Sequence, residues 1–217
     1  MNLEQARFNM IKQQIQPWNV LDADVLALLA VVRREDFVPP AWRNLAFADI
    51  EVPLGSGAAM LAPKIEAHAL QALALGKQEK VLEIGTGSGY MAALLAAHAD
   101  HVWSVEIVPE LAAQARARLQ RLGITNVSVE IGDGVPGLPA HAPYDVIMVS
   151  GGLPLVPQEL LAQLKVGGRL FAIVGAAPAM TAQLITREAE GAFRTAGLFE
   201  TRAAPLKNAP AKSQFVF

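Results

Sequence analysis

Short apolar segments alternate with helix-forming segments between Pro63 and Val174, and this alternation is the strongest constraint on the fold. Strands separated by helices in this way are typical of a parallel sheet that helices cover on both faces. We therefore predict a three-layer α/β fold. The predicted strands are Val81–Ile84, His101–Glu106, Val127–Ile131, Tyr144–Val149 and Arg169–Val174. The predicted helices are Ile65–Leu75, Tyr90–Ala99, Pro109–Leu122 and Pro157–Leu164.

The two ends of the chain follow different patterns. Apolar residues at helical spacing predict one helix over Leu3–Ile15, capped by Asn2, and a second helix that ends at Val32. Residues 41–63 are rich in Pro and Gly and show no strand pattern, so we expect an irregular segment there. Beyond Gly175 the helical segments cease. The remaining apolar segments predict antiparallel strands at Thr181–Arg187, Phe193–Arg202 and Gln214–Phe217.

The composition excludes several classes of protein. Of the 217 residues, 53% are hydrophobic, which is enough for a substantial core. The formal net charge of −2 gives no electrostatic basis for binding nucleic acid, and the lack of Cys excludes disulfides and thiolate zinc sites. The clearest apolar run, Val25–Val32, is too short to span a membrane, and the N-terminus has no secretory pattern. We therefore expect a cytoplasmic protein without a membrane partner.

A glycine-rich loop joins the first predicted strand of the sheet to the next helix. Gly85, Gly87 and Gly89 form the pattern G-x-G-x-G, which allows a tight turn and a close approach of ligand to backbone beside a helix N-terminus. A dinucleotide fingerprint requires glycine where Tyr90 stands, and the Gly-Lys-Ser/Thr of a Walker A loop is absent. The loop alone could also be a plain turn.

Two acids follow the glycine loop at the ends of the next two predicted strands. Glu106 lies about 20 residues after Gly85, where an acid can accept hydrogen bonds from both hydroxyls of a ribose. Asp133, in Gly132–Gly134, could accept a hydrogen bond from an adenine amino group. The carboxyl ends of parallel strands are where open α/β sheets bind ligands. The three elements together predict a ligand that contains adenosine.

These motifs resemble the S-adenosylmethionine site of class I methyltransferases. More narrowly, nearly the whole chain is similar to the protein-L-isoaspartate O-methyltransferases. The residues that mark this narrower family lie outside the cofactor motifs, at Arg34–Pro39, Asp49, Pro53–Gly57 and Ala62–Pro63. The resemblance implies a Rossmann-like sheet, mostly parallel with antiparallel C-terminal strands. It also implies one structural unit, in which residues 1–62 form a helical extension with a closing loop and residues 63–217 form the methyltransferase domain.

The resemblance assigns a role to each matching cofactor residue. The glycine loop would hold the methionine portion of S-adenosylmethionine, Glu106 the ribose, and Asp133 with Gly134 the adenine edge. The residues implied to bind the cofactor are Glu83, Gly85, Thr86, Gly87, Ser88, Gly89, Glu106, Ile107, Gly132, Asp133 and Gly134.

The closing loop departs from the family pattern. The family reads Gly-x-Gly-Gln-Thr-Ile-Ser-x-Pro, whose hydroxyls line the reaction centre, whereas residues 55–63 keep the length but lose the polar groups. Ala59 and Leu61 stand where the family has Thr and Ser. The catalytic loop positions are therefore Ser56, Ala59 and Leu61, of which only Ser56 has a hydroxyl.

The resemblance implies methyl transfer to the free carboxylate of L-isoaspartyl or D-aspartyl residues, with damaged proteins or peptides as partners. Two alternatives stay open, because the loop is unusually apolar. One is a methyltransferase with a less polar acceptor, and the other is a cofactor-binding protein without catalytic activity. An NAD-dependent oxidoreductase fits least, since Tyr90 breaks its glycine spacing.

Other polar residues are assigned simpler roles. His98 and His101 lack a third ligand, so we predict no metal site. His68 is expected to be a surface or packing residue, and Arg33–Asp36 a solvated helix end. Ser150–Gly152 could line the acceptor side of the pocket or form a plain turn. The sequence does not predict an oligomeric state.

Overall fold

A computed structural model describes residues 2–209 and contains a seven-stranded sheet with helices on both faces. The helices are α1 (Leu3–Met10), α2 (Ala23–Val31), α3 (Pro63–Leu73), α4 (Tyr90–Ala96), α5 (Pro109–Arg121) and α6 (Gln158–Ala162). The strands of the large sheet are β3 (Lys80–Ile84), β4 (His101–Glu106), β5 (Val127–Ile131), β6 (Tyr144–Leu153), β7 (Leu164–Ala176), β8 (Ala179–Ala189) and β9 (Ala192–Thr201). No helix within residues 2–209 is long and apolar enough to cross a membrane.

The order of the strands confirms the predicted three-layer fold. The sheet runs β5-β4-β3-β6-β7-β8-β9; the first five strands pair in parallel, whereas β8 pairs antiparallel with both β7 and β9. Strands β3 and β6 are central and almost fully buried, as expected for a parallel sheet that is covered on both faces. Their carboxyl ends, together with that of β4, meet at one edge of the sheet. The strand predicted at Gln214–Phe217 lies outside the described residues.

The N-terminal helix begins as predicted but changes its winding. The side chain of Asn2 accepts a hydrogen bond from the Gln5 N–H, which caps α1. After Met10 the helix continues as a π-helical segment over Ile11–Ile15, and three residues of 3₁₀-helix end it at Trp18. The long helix expected over Leu3–Ile15 is therefore helical throughout, but only its first part is an α-helix.

The segment expected to be irregular contains a β-hairpin, so the prediction that the first third has no strand was wrong. Strand β1 (Val52–Gly55) pairs with β2 (Ala58–Met60) in a separate two-stranded sheet. The backbone has positive φ at Gly55 (90°), Ser56 (52°) and Gly57 (77°); glycine adopts such values without strain, whereas Ser56 is a non-glycine residue in the left-handed region. The glycines that suggested a loop thus build the turn of a hairpin.

Arg34 and Glu35 are buried, so the interpretation of Arg33–Asp36 as a solvated helix end was wrong for its two central residues. The Arg34 guanidinium donates hydrogen bonds to the carbonyls of Ala46 and Leu61, and it forms an ion pair with the Glu66 carboxylate. Arg34 therefore fastens the segment after the hairpin to the first turn of α3.

The same guanidinium also contacts the sheet domain. It packs over the ring of Tyr90, with 4.9 Å between the guanidinium carbon and the ring centroid. Tyr90 is the first residue of α4 and directly follows the glycine loop. One side chain thus connects the N-terminal third of the chain to the element that follows the predicted ligand site.

Removing one partner of this buried ion pair tests its structural role. We expect Arg34→Leu to lower the free energy of unfolding by about 3–5 kcal/mol, because the Glu66 carboxylate is left buried without its partner. The double variant Arg34→Leu/Glu66→Leu should show a smaller decrease in the free energy of unfolding, because no unpaired charge is left buried. Urea unfolding measures the free energy of unfolding of both variants. As a control, Arg121→Leu, at an exposed position near the end of α5, should change stability by less than about 0.5 kcal/mol.

Candidate active site

The glycine loop forms a tight turn between β3 and α4. The backbone φ is 91° at Gly85, 51° at Gly87 and 83° at Gly89, a region that favours glycine. A Cβ atom on Gly87 would lie 3.0 Å from Cδ1 of Leu54, so strand β1 of the hairpin lies directly over the loop. The loop is therefore enclosed between the sheet and the hairpin.

Glu106 ties the end of β4 to the glycine loop. Its carboxylate accepts one hydrogen bond from the Gly87 N–H (2.7 Å) and one from the Val108 N–H (3.0 Å). The side chain is buried, so these two donors fix its orientation. Each carboxylate oxygen keeps a second lone-pair direction, with which it can accept a hydrogen bond from a ribose hydroxyl.

A cleft of about 640 Å³, which we call the outer cavity, opens at this edge of the sheet. Its lining residues are Gly57, Ala58, Ala59, Ile84, Gly85, Gly87, Val105, Glu106, Ile107, Val108, Asp133, Gly134, Val135, Ser150, Gly151, Ala204, Pro205, Leu206 and Lys207. The structure thus brings the glycine loop, both predicted acids and the hairpin around one cavity.

Asp133 and Gly134 form the end of the outer cavity near β5. The Asp133 carboxylate accepts hydrogen bonds from the Val135 N–H (3.0 Å) and from the side-chain amide of Asn208 (3.1 Å). A Cβ atom on Gly134 would lie only 2.8 Å from Cγ2 of Ile84. The backbone at this position therefore lies so close to β3 that only glycine fits. Asp133 and Gly134 thus border the part of the outer cavity next to the ends of β3 and β5.

The wall opposite the glycine loop comes from the C-terminal segment, which sequence reasoning missed. The Gly152 N–H donates to the Ala204 carbonyl (2.8 Å), and the Leu206 N–H donates to the Gly152 carbonyl (2.9 Å). A Cβ atom on Gly85 would lie 3.3 Å from Cδ2 of Leu206, so this side chain covers the loop. The sequence of this segment contains no motif that marks it as part of a site.

A smaller cavity of about 270 Å³, which we call the inner cavity, lies behind the hairpin. Its lining residues are Leu54, Ala59, Met60, Leu61, Glu66, Glu83, Gly85, Thr86, Gly87, Ser88, Met91 and Ser150. Four residues line both cavities and mark where the two meet: Ala59, Gly85, Gly87 and Ser150.

Glu83 is fully buried within a network of hydroxyl groups. Its carboxyl group accepts hydrogen bonds from Ser104 Oγ (2.5 Å) and Ser150 Oγ (3.0 Å), and Thr86 Oγ1 lies 2.6 Å from Ser104 Oγ. Burial raises the pKa of Glu83 to about 8, although both serine hydrogen bonds act in the opposite direction. A cation in the inner cavity would favour the ionised form of this carboxyl group.

The loop positions predicted to be catalytic fall in three different places. Ser56 is exposed at the tip of the hairpin and lines neither cavity. Ala59 lies where the cavities meet, and Leu61 lines the inner one. The sequence left open whether Ser150 lines the pocket or belongs to a plain turn. In the structure its hydroxyl lies where the two cavities meet.

The other predicted cofactor residues are also placed by the structure. Ile107 lines the outer cavity, whereas Gly89 and Gly132 line neither. Gly89 packs against α5, where a Cβ atom would lie 3.3 Å from that of Ala115. The Ser88 hydroxyl accepts a hydrogen bond from the Tyr90 N–H (3.2 Å) and so caps the start of α4.

The histidines take part in packing. His101 Nε2 lies 2.9 Å from Ser128 Oγ, and the His68 ring packs against Phe199 with 4.6 Å between centroids. Among residues 2–209 no cluster of three or more His, Cys, Asp or Glu side chains could hold a metal ion.

The family model described as "Protein-L-isoaspartate(D-aspartate) O-methyltransferase" matches residues 5–210 of this chain. Protein-L-isoaspartate O-methyltransferase 2 of Pelobacter propionicus is 44% identical over 209 residues, which cover 96% of this chain and 93% of the relative. The protein-L-isoaspartate O-methyltransferase of a Picosynechococcus species is 49% identical over 169 residues, which cover 78% of this chain and 76% of the relative.

Two solved structures share the fold. A protein-L-isoaspartate O-methyltransferase superposes with a TM-score of 0.78 at 28% identity, over 92% of this chain and 65% of that one. A putative protein-L-isoaspartate O-methyltransferase from Plasmodium falciparum, in complex with S-adenosyl-L-homocysteine, superposes with a TM-score of 0.79 at 20% identity, over 95% of this chain and 99% of that one. At 20% identity the second structure supports the fold alone.

The sheet, the glycine loop and the two strand-end acids define a class I S-adenosylmethionine-dependent methyltransferase. Its residues fit the cofactor, since each oxygen of Glu106 receives only one hydrogen bond from the protein and keeps an acceptor direction for a ribose hydroxyl at the outer cavity. The chain belongs to the protein-L-isoaspartate(D-aspartate) O-methyltransferase family and is an enzyme of that family.

We expect cofactor binding to depend on pH, because burial raises the pKa of Glu83 to about 8. S-adenosylmethionine carries a sulfonium charge, so it should bind the ionised form of Glu83, whose population increases as pH rises toward about 8. We expect Kd to fall by up to about 100-fold between pH 5.5 and pH 7.5, in proportion to the ionised fraction. Isothermal titration calorimetry measures this change.

Glu83→Gln is the control for this titration. Glu66, whose pKa burial raises to about 7, titrates in the same interval, so the variant should reduce the pH dependence without abolishing it. A Kd of the wild type that is equal at both pH values would contradict the prediction.

Proposed function

We propose that this chain transfers the methyl group of S-adenosylmethionine to the free carboxylate of L-isoaspartyl or D-aspartyl residues in damaged proteins. The observation that carries the proposal is the pair of connected cavities at the carboxyl ends of β3, β4 and β6. The outer cavity offers a binding place for the nucleoside of the cofactor, and the inner cavity offers an adjoining space for the rest of it, with Ala59, Gly85, Gly87 and Ser150 where the two meet. Family membership supports the acceptor.

The residues of the outer cavity hold the nucleoside part of the cofactor. Glu106 accepts hydrogen bonds from the ribose, and Asp133 with Gly134 borders the adenine. The glycine loop allows the remainder of the cofactor to pass close to the backbone between Gly85 and Gly87. When bound, S-adenosylmethionine supplies a methyl group on a positively charged sulfur that leaves as a neutral thioether.

The acceptor needs alignment more than activation. A carboxylate is ionised at neutral pH, so no residue of the chain has to remove a proton from it. The hairpin, with Leu54 over Gly87, and the C-terminal segment, with Leu206 over Gly85, cover the glycine loop at the meeting point and reduce its contact with water. Exclusion of water and correct orientation are the main contributions that a protein can make to an in-line displacement.

The hairpin itself gives little polar orientation to the acceptor. Ala59 presents a methyl group where the two cavities meet, and Leu61 lies within the inner cavity. The Ser150 hydroxyl is the remaining polar side-chain group at the meeting point, and its single proton is donated to Glu83, so it must rotate away from Glu83 to donate to an acceptor carboxylate. We propose that Ser150 takes part in orienting the acceptor, and that Ser56, at the exposed hairpin tip, contacts only the outer part of a bound protein.

The proposal also covers the domain organisation, the partners and the location of the protein. Residues 1–62 and 63–217 would act as one unit, because Arg34 joins the N-terminal segment to α3 and to Tyr90. The partners would be protein or peptide chains and not nucleic acid, given the net charge of −2. A cytoplasmic location stays a prediction, which imaging of the tagged chain would test.

The direct test is transfer of labelled methyl from S-adenosylmethionine to an isoaspartyl peptide. Its normal aspartyl twin serves as the control. We expect base-labile label on the isoaspartyl peptide alone, because the product is a carboxyl methyl ester. If protein that binds the cofactor labels neither peptide, the proposed acceptor is wrong.

Restoring the lost hydroxyl at the meeting point should raise turnover. We expect Ala59→Thr to increase kcat on the isoaspartyl peptide by about tenfold or more, since an oriented hydrogen-bond donor in an active site is worth about 10²–10³ in rate. Steady-state kinetics with the labelled cofactor measure this effect. The matched control is Ala192→Thr, which adds the same side chain at an exposed position of β9 outside both cavities and should leave kcat unchanged. An unchanged kcat for Ala59→Thr, with cofactor affinity intact, would contradict the prediction.

A further inference from the structure

The inner cavity is acidic. Two carboxyl side chains, Glu66 and Glu83, line it, and its lining includes no Lys, Arg or His side chain. Both carboxyl groups are almost completely shielded from solvent, with 2% and 0% of their residue surfaces exposed. Two carboxyl groups in a small buried space attract a cation and repel an anion.

Glu66 has one engaged and one open oxygen atom. Its Oε2 forms the ion pair with Arg34 Nη1, whereas its Oε1 accepts no hydrogen bond from residues 2–209. Arg34 does not line the cavity, and two further N–H groups of its guanidinium donate to the carbonyls of Ala46 and Leu61. The guanidinium therefore orients the Glu66 carboxylate from the side away from the cavity. The Oε1 atom of Glu66 remains available as an acceptor on the cavity side.

Glu83 lies on the other side of the same cavity, at the end of β3. The hydroxyls of Ser104 and Ser150 donate to its two oxygens and hold the carboxyl plane in place. Each oxygen keeps a further lone-pair direction. Two carboxyl groups on separate elements, β3 and α3, thus border one space, and each is held from behind by other donors.

The ionisable groups at the inner cavity carry one negative charge in excess. When both carboxyl groups are ionised they carry two negative charges, and Arg34 supplies one positive charge. A single ammonium group would complete the balance and would donate to Glu66 Oε1 and to the Glu83 carboxylate. A carboxylate on the same ligand would instead have to turn toward backbone N–H groups or hydroxyls.

We propose that Glu66 acts with Glu83 to bind the primary ammonium group of the methyl donor's amino-acid tail, and that the inner cavity recognises this amine while it gives the tail carboxylate no charged partner. The inference rests on the proposed function for the identity of the donor. It makes Glu66 a specificity-determining residue: the enzyme should accept donors and products whose tail has an amine but no carboxylate.

Three thioethers that differ only in the tail test the proposal with the wild-type protein. They are S-adenosylhomocysteine, its decarboxylated analogue, which keeps the amine, and its deaminated analogue, which keeps the carboxylate. At pH 7.5 we expect the decarboxylated analogue to bind within about threefold of the parent and the deaminated analogue at least about tenfold more weakly, since a buried carboxylate then lacks its cation. Isothermal titration calorimetry gives the three Kd values.

Two variants separate the role of Glu66 from a general loss of charge. Glu66→Gln should weaken the parent and the decarboxylated analogue by about tenfold and leave the deaminated analogue unchanged. The matched control is Glu35→Gln, because Glu35 is equally buried and paired with an arginine, Arg7, but lines neither cavity. It should change none of the three affinities.

The proposal is overturned if the deaminated analogue binds the wild type as tightly as the parent. It is also overturned if folded Glu66→Gln binds the decarboxylated analogue as tightly as the wild type does. Failure of all three thioethers to bind would overturn the donor assignment and this inference together. Normal discrimination among them, with no methyl transfer to the isoaspartyl peptide, would overturn only the proposed acceptor.

Discussion

The buried guanidinium of Arg34 is the contact on which the arrangement of the site depends. It holds the Leu61 carbonyl after the hairpin and the Glu66 carboxylate in α3, and it packs on the Tyr90 ring after the glycine loop. Leu61 and Glu66 line the inner cavity, and Tyr90 directly follows the glycine loop that also borders it. Because a buried cation must keep its hydrogen bonds, the position of the hairpin over the glycine loop is fixed from within the protein and not by surface contacts.

The sheet could be predicted from the sequence because its signals are local. Apolar runs such as Val81–Ile84, separated by helical periods, define the parallel strands, and the glycines at 85, 87 and 89 mark the turn at their ends. The same reasoning failed where the structure depends on distant contacts. The hairpin at Val52–Met60 and the burial of Arg34 follow from packing against α3 and α4, which leaves no periodic pattern in the sequence.

The residues of the candidate active site, like the fold, could be predicted from the sequence only in part. Glu106 and Asp133 were found because the ends of successive parallel strands meet at one edge of a sheet. Glu66 was not found, because a single acid in the first turn of a helix is most simply explained by the helix dipole. Its neighbour across the inner cavity, Glu83, lies next to the glycine motif, yet its hydroxyl partners Ser104 and Ser150 come from strands β4 and β6. Only the sheet register brings these three side chains together.

The outer cavity obtains its last wall from residues 204–207, which follow all seven strands of the sheet. On the ribosome, these residues are synthesised after the glycine loop, Glu106 and Asp133 have already emerged. A nascent chain that lacks them has neither the Leu206 side chain over Gly85 nor the backbone pairing with Gly152. The order of translation therefore delays formation of the complete cofactor cavity until all seven strands of the sheet have been synthesised, so that a nascent chain that stops before residue 204 lacks this wall.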